Sequence, residues 1–159
     1  MRRPARHGGS CLETRTGGDG RRHRNHNLRT KRCRRHGPSA ARLHGAIPRA
    51  LATATIAVPS QHRAIELSDR PAVVRFIERE TARLDAERIN TQLGPTLVTT
   101  PEQTVLDLAH RPELGEVALD VPTAVATLFG RCDEQRIAAL AQDQRRTASL
   151  RRAEAWAQT

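Results

Sequence analysis

The pattern of hydrophobic and polar positions changes period near residue 100. Before it, short β-branched runs bounded by turn residues read as strands. They are Thr53–Val58 (TATIAV), closed by Pro59-Ser60, and Val73–Ile77 (VVRFI), preceded by a turn at Asp69-Arg70-Pro71. Arg63–Leu67 alternates loosely. Thr81–Thr91 is heavily charged and fits either short strands around Arg83-Leu84 and Arg88-Ile89 or an exposed turn. Gly94-Pro95 reads as a turn before extended Thr96–Thr99. Ahead of all these, Ser39 is placed to cap a short helix over Ala40–His44 that stops at Gly45.

The joint between the two regimes is Leu97–Ala109, LVTTPEQTVLDLA. Thr100 offers a hydroxyl cap, Pro101 sits at the first helical position and Gln103 stands three residues after the cap, the pattern of a capping box. Val105, Leu106 and Leu108/Ala109 make the apolar stripe, with Asp107 set apart from it. His110 and Arg111 suit the negative end of that helix. Beyond it, Val121, Ala124, Val125, Leu128 and Phe129 share one helical face ending at Gly130. Asp133 is placed to cap a helix carrying Ile137, Leu140 and Ala141. Thr147 is placed to cap a last one carrying Leu150, Ala153 and Trp156/Ala157. Strands followed by helices predict an α+β fold: a short N-terminal helix and a small strand-rich half, then a helical C-terminal half, preceded by a disordered basic tail.

Charge sharpens this division. Of the 159 residues, 1–37 hold 12 Lys/Arg against Glu13 and Asp19, while the remainder holds 15 basic and 15 acidic residues, so the whole net charge of +10 sits in the leading segment. That segment has Leu12 and Leu28 as its only large aliphatics besides Met1, and it is rich in glycine, so disorder is expected. Its cations Arg21, Arg22, Arg24, Lys31, Arg32, Arg34 and Arg35 are candidate contacts for DNA or RNA phosphates, without interleaved aromatics for base stacking. His23, His26, Cys33 and His36 have ligand chemistry that zinc accepts, but chance clustering in an Arg/His-rich tract explains them better. Only Phe76, Phe129 and Trp156 are aromatic, so the core must be built from Leu, Val, Ile and Ala. No apolar run approaches the ~20 residues that span a bilayer, and a cytoplasmic, membrane-free protein is expected.

Catalytic chemistry is sparse. Neither a G-x-G-x-x-G nor a G-x-x-x-x-G-K-[ST] loop occurs, and the only lysine, Lys31, lies in the leading segment, which excludes the usual kinase and Schiff-base arrangements from the body. Cys132, at a helix start, is the one nucleophile candidate, yet no histidine is placed beside it by sequence, and an inert thiol is the better reading. Glu102 and Asp107 are five apart on one helix and do not form a carboxylate pair; Glu102 suits the first-turn dipole. No enzyme, cofactor or metal is therefore expected. Arg145, Arg146, Arg151 and Arg152, near Leu150 and Trp156, form either a docking face for an acidic partner or arginine stems covering a core edge.

Three stretches carry a family resemblance: SAARLHG at Ser39–Gly45, TATIAVP at Thr53–Pro59 and, above all, LVTTPEQTVLDLA. Val98, Thr99, Thr100, Pro101, Glu102, Thr104 and Asp107 match a Val-Thr-Ser/Thr-Pro-Glu-x-Thr-x-x-Asp run, so that 38–158 resembles the shared domain of AbiEi antitoxins of type IV toxin–antitoxin systems. The resemblance implies a non-enzymatic antitoxin that counters a nucleotidyltransferase-like toxin without forming a stable complex. Thr100, Pro101, Glu102, Thr104 and Asp107 are then a structural motif holding the strand–helix joint. Family members join this domain to an amino-terminal winged helix-turn-helix that binds the operator; residues 1–37 show no helix periodicity, so the expectation is a chain without that reader. The competing readings are a DNA- or RNA-binding transcriptional regulator acting through the basic segment, and a degenerate truncated family member. Oligomeric state is not legible.

Overall fold

The computed structural model describes residues 33–159. Among them are six strands: β1 Arg34–Arg35, β2 Thr53–Val58, β3 Ile65–Glu66, β4 Val73–Glu78, β5 Ala86–Thr91 and β6 Gly94–Thr99. They form one mixed sheet in the order β3-β4-β2-β1-β6-β5. Helix α1 (Pro38–Leu43) lies between β1 and β2 in the chain, and α2 (Pro101–His110), α3 (Val121–Phe129), α4 (Glu134–Asp143) and α5 (Thr147–Ala157) follow the sheet. The fold is α+β, as the change of period at residue 100 predicts. No helix among the described residues is long and apolar enough to cross a membrane.

The two residues of β1 link the sheet's halves. Arg34 and Arg35 pair antiparallel with Ala57 and Ile56 of β2, and Arg35 pairs parallel with Val98 of β6. Hence, among the described residues, the β2–β4 ladder, parallel from Thr53↔Val73 to Val58↔Glu78, is joined within the sheet to the β5–β6 hairpin through β1. This strand falls within the segment expected to be a basic tail. Its order comes from backbone pairing with strands distant in sequence, which local composition does not encode. Alternation along the extended chain then puts Arg34 and His36 on one face and buried Cys33 on the other.

Each face buries something different. Ile56 and Val58 of β2, with Val74 and Phe76 of β4 and Cys33, make a small apolar cluster. The larger core lies among the helices, around Ile47, Val105, Leu106, Leu108, Val121, Val125, Leu128 and Ile137. Helix α2 is central to it: every residue from Glu102 to Ala109 is buried, polar ones included. Its apolar residues pack among the other helices while Thr104 bonds back to the end of β6, with the two hydroxyls of Thr99 and Thr104 2.8 Å apart. Small residues permit close approach elsewhere. Gly115 has φ +76, and a Cβ there would stand 3.1 Å from Pro38 Cγ, so a side chain would be strained in conformation and pressed against Pro38.

Several local expectations need correction. Helix α1 begins at Pro38 with Gly37 at the cap position and no side-chain cap; the Ser39 hydroxyl instead accepts from Thr55 N at 2.7 Å, tying α1 to β2. Helix α5 does begin at Thr147, but Arg146 occupies the cap position and no side chain caps it. The hairpin turn falls at Gln92-Leu93, two residues earlier than Gly94-Pro95, with Thr91 Oγ1 donating to the Gly94 carbonyl at 2.8 Å. The charged stretch from Thr81 resolves into a helical turn, Thr81–Arg83, followed by edge strand β5. Asp133 does cap α4, accepting from Arg136 N at 2.8 Å.

Leu106 is fully buried in the helical core. Leu106→Ala should lower unfolding stability by about 2–5 kcal/mol, read as a lower urea midpoint with an unchanged slope.

Candidate functional site

The motif residues at the strand–helix joint are all buried or nearly so, and their polar atoms are spent on the fold. Thr100 Oγ1 accepts from Gln103 N at 3.4 Å, as a capping hydroxyl should, and donates to Asp85 Oδ2 at 2.9 Å. The reciprocal half of the capping box is absent. Thr100 N donates to the Asp85 carbonyl, while Gln103 Oε1 accepts from Asp85 N and from Gln144 Nε2. Thr99 and Thr104 bond side chain to side chain, and the Thr99 carbonyl lies 2.7 Å from His44 Nε2. Pro101 occupies the first helical position. Glu102 does more than complement the helix dipole: its Oε1 accepts from Asp133 N at 3.1 Å, fixing the start of α4 against the start of α2.

Asp107 is the residue that local pattern places least well. It is 3% exposed, and groups from both layers converge on it. Oδ1 accepts from Arg79 Nη1 at 3.0 Å, just past β4, and from Gln103 Nε2 at 3.2 Å, one helical turn earlier. Arg146 Nη1, from the α4–α5 connection, lies 4.0 Å from the same oxygen. His36 Nδ1, beyond β1, stands 2.9 Å from Oδ2, a close contact whose angle falls outside hydrogen-bond alignment. Burial pushes the Asp107 carboxyl up, and the proximity of His36 and Arg79, with the Arg79 hydrogen bond, overcomes it, leaving the group below its ordinary range. Burial and the like charge of Arg79 pull the Arg146 guanidinium down, and burial with Arg146 and Arg79 nearby pulls His110 down as well. A cavity of about 140 Å³ opens beside this cluster.

The other predicted site residues are dispersed. Arg34 and Arg35 are half-buried strand residues; Arg21, Arg22, Arg24, Lys31 and Arg32 lie outside the described residues, as do His23 and His26 of the metal reading. His36 and Cys33, the other half of that reading, are buried, His36 against Asp107 and Cys33 in the small apolar cluster. No group of three or more metal-ligating side chains occurs among the described residues. Of the C-terminal cations, Arg146 turns inward to Asp107, and Arg152 Nη1 donates to the Ala109 carbonyl at 2.8 Å, closing the end of α2. Trp156 packs half-buried on the helical core. Arg145 and Arg151 remain exposed. Cys132 is not an activated nucleophile: its thiol donates to the Leu128 carbonyl, and burial with Glu102 nearby pushes its pKa up to about 12.

Residues 35–156 match the family model described as the AbiEi antitoxin C-terminal domain. The chain belongs to the AbiEi antitoxin family. That membership supports an antitoxin role in a toxin–antitoxin system, with a toxin as the paired component. No curated protein matches the chain significantly. The AbiEi match starts within β1 and ends within α5, so it embraces His36, Arg79, Asp107 and Arg146 together.

Sequence reasoning found Asp107 through its motif but missed its partners. Arg79 follows an ordinary amphipathic strand, and His36 lies in an Arg/His-rich stretch whose composition points to solvent. The usable signal is the polar pair Gln103 and Asp107, four residues apart on a helix otherwise filled with buried side chains. Such a pair demands buried partners.

Two outcomes follow from this geometry. The folded carboxyl of Asp107 titrates below its unfolded value of 3.8, so its contribution is complete above that value and is lost as pH falls through the folded value. Asp107→Asn should cost about 3–5 kcal/mol near neutrality by stranding buried cations, and its urea stability should fall less steeply than wild type below about pH 4. Cys132 in the folded chain should resist iodoacetamide at pH 8 and react once urea unfolds it, as site-resolved mass spectrometry would report.

Proposed function

We propose that this chain is a non-enzymatic antitoxin of a type IV system, countering a nucleotidyltransferase-like toxin from a compact domain that works by contact. The observation carrying this reading is the AbiEi domain match over 35–156. Two structural features support it. The motif residues Thr100, Glu102, Thr104 and Asp107 are committed to internal hydrogen bonds, and the Cys132 thiol is held protonated. In this reading the exposed cations Arg145, just before α5, and Arg151, on α5, present the contact surface, whereas Arg146, Arg152 and Trp156 serve the fold. Nucleic-acid association through Arg21, Arg22, Arg24, Lys31 and Arg32 would be a separate, salt-dependent property of the leading segment.

Co-expression with the cognate nucleotidyltransferase-like toxin tests the proposal. Growth should be restored by the wild-type chain, and Arg145→Glu with Arg151→Glu should weaken rescue while leaving the thermal midpoint within a few degrees. Undiminished toxicity in cells holding abundant folded protein would contradict the antitoxin assignment; full rescue by the double variant would contradict the assigned surface.

A further inference from the structure

Arg79 and Arg146 reach one carboxylate oxygen from opposite layers, at 3.0 and 4.0 Å from Asp107 Oδ1, with side chains 19% and 13% exposed. His36 occupies the other oxygen at 2.9 Å. One carboxylate thus faces three basic groups, and Arg111 and His110 stand on the same cavity wall. Two guanidinium groups this close repel each other, which depresses Arg146 further. Arg146 Nη1 is buried and makes no hydrogen bond with the described residues. A buried donor in that condition is costly and calls for an acceptor.

The cavity beside the cluster measures about 140 Å³. Set against roughly 30 Å³ per water in the liquid, it accommodates one tetrahedral oxyanion with a little water. Glu78 and Arg79 border both it and a larger, more open cavity of about 930 Å³, lined also by Arg34, Glu80 and Thr81. Arg34 Nε and Nη1 are buried without hydrogen-bond partners among the described residues. The small chamber sets Arg79, Arg111 and Arg146 against Glu78 and Asp107, an excess of one cation before either histidine is counted, whereas the large one sets Arg34 and Arg79 against Glu78 and Glu80.

We propose that these adjoining cavities bind a phosphate group, either free or as the monoester of a polyhydroxyl compound. The phosphate sits in the small chamber on Arg79, Arg111 and Arg146, whose planar forks match its oxygens. When esterified, its organic part lies in the large chamber, where Glu80 accepts from hydroxyl groups and disfavours a second phosphate. The site goes beyond the antitoxin reading and does not depend on it.

Isothermal titration of the full chain at constant ionic strength, with inorganic phosphate and ribose 5-phosphate as probes, tests the site. Saturable one-to-one binding is expected, weakened about tenfold or more by Arg146→Gln. Arg111→Gln, at an exposed position, gives a second variant that keeps the fold and should also weaken binding. Arg88→Gln, on the exposed edge strand, should leave binding unchanged. Tighter binding of ribose 5-phosphate supports the ester as the occupant, and equal or tighter binding of inorganic phosphate supports the free anion. Absence of saturable binding, or binding unaltered by both Arg146→Gln and Arg111→Gln, would overturn the proposal. So would equal weakening by Arg88→Gln, which would reveal only diffuse attraction to positive charge.

Discussion

A single buried carboxylate ties the layers of this molecule together. Asp107 projects from the most buried helix and meets Arg79 from beyond β4, His36 from beyond β1 and Arg146 from the approach to α5. Hydrophobic burial is non-directional and leaves the angle between a sheet and its helices loosely set. A charge group with fixed partners is directional. It favours the arrangement in which every partner arrives, and it penalises others by leaving a charge stranded. The core here has few aromatic residues and many alanines, so a polar tie of this kind carries more of the specification than it would in a larger, better-filled interior.

The motif around Thr100 extends the same logic. Thr99, Thr100, Gln103 and Thr104 bond β6, α2 and the Asp85 turn to one another, and Glu102 connects α2 to the start of α4. The polar residues of this run thus join a strand, two helices and the segment at Asp85. Its residue types follow from the backbone donors they satisfy: a hydroxyl at a helix cap, a carboxylate at a neighbouring helix start, an amide long enough to reach Gln144.

Much of this architecture was legible in the sequence. The strands at Thr53 and Val73, the cap at Thr100, the cap at Asp133 and the buried faces of α3 and α4 follow from periodicity and capping chemistry, which are local. The errors share a cause. Ser39 and Thr147 carry good cap side chains, yet tertiary context gave Ser39 to Thr55 and left α5 uncapped. Strand β1 is two arginines in a basic stretch, and only its pairing with β2 and β6 makes it a strand. The Asp107 cluster was invisible for the same reason: its members come from four separate parts of the chain, and nothing near Arg79 or His36 announces a carboxylate far along it.

The claim on which this account rests is that Asp107 couples sheet to helices instead of serving α2 alone. Native-state hydrogen exchange on Asp107→Asn measures this coupling directly. The account predicts that amides of β4, β1 and the start of α5 lose protection together with those of α2. Loss confined to α2, with the sheet protected as in the wild type, would contradict it.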